Sequence, residues 1–136
     1  MMTKYQIIYE KSFRKQYRLL EKRSYDMVLL AINHNITKAV IATAQRYPCI
    51  FRVGIFGSYA RGEDDSTSDI DLLYDYDDKS RDATHQFLSF VEDFLDIIKP
   101  LDADFICLEN LLEMEDNFMH NVLNDVIWVY DSANAV

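Results

Sequence analysis

The chain has 136 residues, of which 49% are hydrophobic and 27% are charged, which predicts one globular domain with a core of its own. Its formal net charge is −9, from 14 Lys and Arg against 23 Asp and Glu, which disfavours non-specific nucleic-acid binding and counts against a template-reading polymerase. No apolar run is long enough to span a bilayer, and the N-terminus has no signal-peptide apolar region, so we expect a cytoplasmic protein without a membrane partner.

The first 48 residues predict a helical extension. Apolar residues recur at helical spacing over residues 10–22 and again over residues 24–47, and Pro48 ends the second helix because the residue before a proline avoids the α region. Residues 1–23 carry seven basic side chains against two acidic ones. This basic segment is either a solvated helix face or a docking surface for an acidic partner.

The remaining chain predicts a catalytic core over residues 49–130, within a single domain that spans 1–136. The pattern of apolar residues predicts four strands, over 49–56, 69–74, 103–108 and 126–130. It also predicts two helices, over 81–98 and 109–121. This alternation indicates an α/β fold, a small sheet with its helices mainly on one side and two extra N-terminal helices. The two cysteines, Cys49 and Cys107, lie among apolar residues without a metal-site spacing, so we expect buried, reduced thiols.

All three glycines of the chain, Gly54, Gly57 and Gly62, fall within nine residues at the end of the first predicted strand and in the segment after it. Glycine is used where the backbone needs a positive φ or must come close to another group. The turn at Gly57 and Ser58 offers bare backbone N–H groups and a hydroxyl, which are the groups that bind phosphate. We therefore predict a phosphate-binding turn here.

Asp69 and Asp71 are two residues apart in the second predicted strand, so both carboxylates project from one face. Two carboxylates on one face repel each other unless a cation lies between them, and Mg²⁺ prefers such oxygen ligands together with substrate phosphates. A tight hairpin with a solvated acidic strand explains the glycines but leaves this pair without a reason. A phosphate-binding turn beside a carboxylate pair is typical of nucleotidyl transfer.

Two runs, Gly-Ser-Tyr-Ala-Arg-Gly at 57–62 and Ser-Asp-Ile-Asp-Leu at 68–72, resemble the signature of the DNA polymerase β-like nucleotidyltransferases. They are most similar to the minimal nucleotidyltransferase (MNT) group, and the resemblance covers residues 50–130. It implies a small mixed β-sheet, ATP as substrate and two Mg²⁺ ions held by Asp69 and Asp71. It also implies in-line attack on the α-phosphate, with pyrophosphate leaving.

The resemblance further implies a third carboxylate on the strand after the intervening helix. We select Asp104 as the metal ligand nearer the attacking hydroxyl, because it aligns better with the family's usual acid followed by apolar residues. It also lies inside an apolar run, where a buried acid without a metal or partner would be costly. Asp102 is the surface alternative. Ser58 and the backbone around Gly57 are expected to hold the β- and γ-phosphates.

Arg61, the arginine of the first run, has two expected roles that the sequence leaves open. It either packs back on the acidic loop and steadies the turn, or it reaches a phosphate of the nucleotide.

In the MNT group the usual partner is a small helical HEPN ribonuclease toxin. The resemblance therefore implies an antitoxin that transfers AMP from ATP to a tyrosine of such a toxin. Because the chain has no room for an acceptor-binding domain, we expect a partner protein or a second copy to supply that surface. One alternative is an antitoxin that neutralises its toxin by binding alone. Another is a small-molecule, antibiotic-type nucleotidyltransferase that works as a homodimer. All of the expected site residues are present, which favours a catalytic protein over an antitoxin that acts by binding alone. The sequence does not determine the acceptor molecule or the preferred nucleotide base.

Overall fold

The computed structural model describes residues 34–64 and 68–133. The predicted helix over 10–22 and the first part of the helix over 24–47 lie outside the described residues. The described elements are α1 (His34–Ala44), β1 (Ile50–Phe56), α2 (Ser58–Arg61), β2 (Ile70–Tyr76), α3 (Ala83–Ile98), β3 (Ala103–Cys107), α4 (Leu108–Met114), α5 (Asn117–Asp125) and β4 (Ile127–Asp131).

The four strands form one mixed sheet in the order β3-β2-β1-β4, which confirms the predicted fold class. The central strand β1 is antiparallel to both β2 and β4, whereas β2 and β3 are parallel. Parallel neighbours need a crossover connection, and α3 supplies it between β2 and β3. Phe56, the last residue of β1, pairs with Asp71 near the start of β2, so the turn after β1 lies at the edge of the sheet where β2 begins.

Alternation along the strands divides the apolar side chains between two cores. The larger core lies under α1 and α3, where Phe90 and Phe94 of α3 are fully buried against Ile55 and Leu72 of the sheet. The two longest helices thus share one side of the sheet, as predicted. The short helices α4 and α5 bury a smaller core that includes Trp128, on the opposite face.

The helix predicted over 109–121 is two helices, and that single-helix prediction was wrong. Glu115 follows α4 in a left-handed conformation with φ 51°, which ends the helix. The side chain of Asp116 then accepts a hydrogen bond from the Met119 backbone N–H at 3.0 Å and caps α5. The local preference of Asp116 for an N-cap therefore outweighs the continuous apolar pattern.

Cys49 is buried, Cys107 is half-buried, and neither forms a disulfide. Among the residues that the structure describes, none of the helices combines the length and the hydropathy that a membrane crossing requires.

Candidate active site

The turn after β1 depends on the backbone conformation of Gly57. Its φ of 74° and ψ of −149° fall in a region that only glycine adopts readily. A Cβ atom at Gly57 would collide with the Oδ2 atom of Asp71. The missing side chain therefore allows the turn to lie directly against the Asp71 carboxylate.

The short helix α2 is closed at its far end by Gly62, whose φ of 71° is left-handed. The backbone N–H of Glu63 donates to the Ser58 carbonyl at 2.8 Å, and that of Gly62 donates to the Tyr59 carbonyl at 3.4 Å. These bonds satisfy carbonyls that a helix end leaves open. Ser58 stands at the first position of α2 and is half-buried.

Tyr59 anchors this turn, a role that the sequence analysis missed. Its ring is only 4% exposed and belongs to the larger core, so α2 is held from beneath by apolar packing. Its hydroxyl donates to the Ser68 carbonyl at 3.4 Å, one residue before Asp69. The aromatic between Ser58 and Ala60 was the signal available in the sequence, because a large apolar side chain in a polar turn is usually buried.

The parallel pairing of β2 and β3 places Asp71 directly beside Asp104. Asp69 lies immediately before β2 and is exposed. The structure therefore pairs Asp71 with Asp104 at the sheet edge that also carries the Gly57 turn, and Asp69 lies two residues before Asp71. The burial argument for Asp104 was wrong, however, because its side chain is exposed. Register, and not burial, brings Asp104 to the site.

The pKa of the Asp71 carboxyl responds to the charged side chains around it. Burial raises the pKa of the Asp71 carboxyl, the nearby Asp104 and Asp69 carboxylates raise it further, and the Arg61 guanidinium lowers it. Asp102 is not among these influences, although its backbone carbonyl accepts a hydrogen bond from the Ile70 N–H at 2.9 Å. The geometry thus favours Asp104 over Asp102 as the third carboxylate.

The donor chemistry of these three carboxylates fits Mg²⁺, which prefers hard oxygen ligands. Burial raises the pKa of the Asp71 carboxyl and the Asp104 and Asp69 carboxylates raise it further, so a bound cation would stabilise its charged form. Across residues 34–64 and 68–133, however, no three His, Cys, Asp or Glu side chains are arranged closely enough to form a metal-binding group. The role of the three carboxylates as metal ligands therefore stays a prediction.

Arg61 forms two ion pairs with carboxylates. Its Nε donates to Glu63 Oε2 at 3.0 Å, and its Nη1 donates to Asp125 Oδ2 at 2.6 Å. In this conformation the side chain steadies the turn, which is the first of its two expected roles. The sequence analysis missed Asp125, because nothing local relates it to a residue 64 positions earlier.

The model of the family described as "Polymerase beta, Nucleotidyltransferase" matches residues 38–135, which is most of the chain. The chain belongs to this family. The resemblance drawn from the Gly57 turn and the Asp69–Asp71 pair is thereby confirmed, and this polymerase β-type nucleotidyltransferase keeps both motifs at one edge of its sheet.

Curated relatives of this nucleotidyltransferase are archaeal. A protein adenylyltransferase of Thermococcus cleftensis, MntA, is 30% identical over 79 residues, which are 57% of this chain and 72% of that protein. A candidate protein adenylyltransferase of Methanocaldococcus jannaschii, MJ1379, is 34% identical over 59 residues, which are 43% of this chain and 58% of that protein. The alignments thus span between about half and three quarters of the relatives' lengths.

A crystal structure of a candidate nucleotidyltransferase from Sulfolobus solfataricus aligns with 91% of this chain and 90% of its own, at 22% sequence identity. Its TM-score is 0.45, so the family assignment depends on the sequence match alone.

Proposed function

We propose that this nucleotidyltransferase is a protein adenylyltransferase, which transfers AMP from ATP to a hydroxyl group of a partner protein. The observation that carries the proposal is the pairing of Asp71 with Asp104 beside the Gly57 turn. Carboxylates for metal ions next to a turn for phosphates are the groups that phosphoryl and nucleotidyl transfer require. The names of the two archaeal relatives support a protein as the acceptor.

Each site residue then has a role. Ser58 and the backbone of Gly57 bind the β- and γ-phosphates, while Asp69 and Asp71 would hold two Mg²⁺ ions. When bound, Mg²⁺ neutralises the triphosphate and offsets the charge that the carboxylates share. Asp104 would bind the metal nearer the acceptor hydroxyl and would help to remove the proton of that hydroxyl.

In the transfer itself, the acceptor oxygen forms a bond to the α-phosphorus of ATP. The bond from that phosphorus to the oxygen bridging to the β-phosphate breaks, and pyrophosphate leaves with the electron pair. Asp69 and Asp104 are both exposed, so a protein-borne hydroxyl can approach these carboxylates from solvent. This accessibility supports a macromolecular acceptor, which could not enter a closed pocket.

For the partner, we propose a HEPN-type toxin whose tyrosine accepts AMP, so that the nucleotidyltransferase acts as its antitoxin. This step depends on the resemblance to the MNT group, in which such pairs occur.

The experiment that tests the proposal is intact-mass measurement of the product of the adjacent gene after incubation with this protein, ATP and Mg²⁺. We expect a mass increase of one or more AMP units, which is lost with the Asp69→Asn/Asp71→Asn variant. Asp78→Asn with Glu92→Gln is the matched control, because it also removes two acids but leaves the site intact. A stable complex without AMP transfer would instead indicate an antitoxin that acts by binding. Transfer only to a small-molecule acceptor would indicate an antibiotic-type enzyme.

A further inference from the structure

The ion pair between Arg61 and Asp125 joins two parts of the fold that are distant in sequence. Arg61 is the last residue of α2, and Asp125 is the last residue of α5. Their side chains are 43% and 29% exposed, and the Nη1–Oδ2 distance is 2.6 Å. The pair therefore connects the turn that carries Ser58 to the helices packed on the opposite face of the sheet.

The position of Asp125 is unfavourable for α5 itself. Backbone carbonyls give the C-terminal end of a helix a partial negative charge, which disfavours a carboxylate there. The last turn of α5 contains no basic residue that could offset this charge. The compensating cation is Arg61, which belongs to α2. Asp125 therefore does not stabilise its own helix, and its contribution is the contact that it makes between α5 and α2.

Glu63 cannot substitute for Asp125 as an anchor. It also pairs with Arg61, but it lies two residues further along the same segment and moves with α2. Asp125 is attached to the sheet, because β4 begins two residues later and pairs with β1. Of the two carboxylates, only Asp125 can therefore fix Arg61 relative to the sheet.

The Arg61 guanidinium also influences the charge of the Asp71 carboxylate. Arg61 lies close enough to Asp71 to oppose the effects of burial and of Asp104 and Asp69 on that carboxylate. Displacement of Arg61 would thus change both the turn and the charge beside it.

We propose that Asp125 is a positioning residue for nucleotide binding, which holds the Ser58 turn in place through its ion pair with Arg61. The inference rests on the proposed nucleotidyl transfer and names a residue outside both sequence motifs. Asp125 is not catalytic, because it acts through Arg61. It prepares the turn before the nucleotide arrives, which lowers the ordering cost of binding.

Calorimetric titration of the full chain with α,β-methylene-ATP and Mg²⁺ tests the inference without any acceptor. We expect Asp125→Asn to weaken binding about 2- to 5-fold, the range for loss of one partly exposed ion pair. Asp125→Glu keeps the charge and should restore most of the affinity. In an Arg61→Ala background, Asp125→Asn should have no further effect, because the two residues act as one unit.

Asp93→Asn is the matched control. Asp93 is also a partly exposed acid paired with an arginine, Arg46, but this pair lies near the start of β1, at the opposite end of that strand from the turn. Asp93→Asn should leave the dissociation constant unchanged. Thermal unfolding gives a second readout, since a purely structural Asp125 predicts a lower Tm for Asp125→Asn with unchanged affinity.

Unchanged or tighter binding by Asp125→Asn would overturn the inference, and tighter binding would indicate that a released Arg61 contacts phosphate. Absence of binding by the unmodified chain would instead contradict the proposed function and, with it, the basis of the inference.

Discussion

Asp71 and Asp104 are register partners across the parallel strands β2 and β3, so two acids 33 residues apart stand side by side. Such a pair is unfavourable in the absence of a cation, and it lies against the turn whose backbone requires glycine at position 57. The two adjacent carboxylates therefore destabilise the metal-free protein at the proposed site of nucleotidyl transfer.

Asp71→Asn should stabilise the metal-free protein. The folded-state pKa of Asp71 is raised, so the folded protein binds this proton more tightly than the unfolded chain does. The free energy of unfolding therefore falls as pH rises from the ordinary pKa of an aspartate through the raised pKa, and it stays lower above that window. Removal of the charge should add roughly 0.2–1 kcal/mol at pH 7 in EDTA, and this gain should disappear at acidic pH.

Urea unfolding of the two proteins across this pH range measures the effect. Asp102→Asn is the control for the general benefit of removing one acid from a chain of net charge −9. A gain of equal size in Asp102→Asn would show that the pairing with Asp104 is not the cause.

Asp104→Asn and Asp102→Asn should differ strongly in their rates of AMP transfer. Asp104 adjoins Asp71, whereas Asp102 precedes β3 and contributes only its backbone carbonyl to the sheet. In the proposed site Asp104 is a metal ligand, and loss of such a ligand costs several kcal/mol of transition-state stabilisation, so Asp104→Asn should slow transfer about 100-fold or more. Asp102→Asn should transfer at nearly the unmodified rate, as measured by radiolabelled AMP incorporation. The reverse order would assign the third carboxylate to Asp102.

Gly57→Ala should impair the site more than Gly62→Ala, although both glycines have positive φ values. At Gly57 the new methyl group would collide with Asp71, whereas at Gly62 it would meet no atom within 4 Å. We expect Gly57→Ala to cost about 1–3 kcal/mol of stability and to abolish transfer. Gly62→Ala should cost about 1 kcal/mol and leave most of the activity.

Thermal unfolding and AMP incorporation on the same two samples provide the comparison. Equal losses of activity in the two variants would mean that backbone strain alone, and not displacement of Asp71, controls the site.

Tyr59→Ala should detach α2 from the core. Truncation of a buried aromatic side chain costs about 3–5 kcal/mol, and here it also removes the support beneath Ser58. Tyr59→Phe keeps the ring and loses only the hydrogen bond to the Ser68 carbonyl, so it should cost at most about 1.5 kcal/mol. Denaturant unfolding measures both costs. If Tyr59→Phe proved as damaging as Tyr59→Ala, the hydroxyl rather than the packed ring would anchor the turn.

The elements around the site were predictable because their signals are local. The alternation in β1 and β2, the three glycines and the spacing of Asp69 and Asp71 are properties of short segments. Their structural positions agree with the predicted ones to within two residues for these strands. The predicted helix over 109–121 failed for a reason that is also local, because Asp116 caps a new helix after the left-handed Glu115. The pattern of apolar residues concealed this break.

The nucleotidyltransferase chemistry was thus readable from residue types in order along the chain, but the assembly of the site was not. The choice of Asp104 was supported by a burial that it does not have, and Tyr59 and Asp125 were not selected at all. Strand order and register depend on hydrogen bonds between segments far apart in sequence, and a local pattern carries no information on which residue will stand opposite another. The Asp71–Asp104 pair and the Arg61–Asp125 contact therefore arise only when β2, β3 and the end of α5 meet in the folded chain.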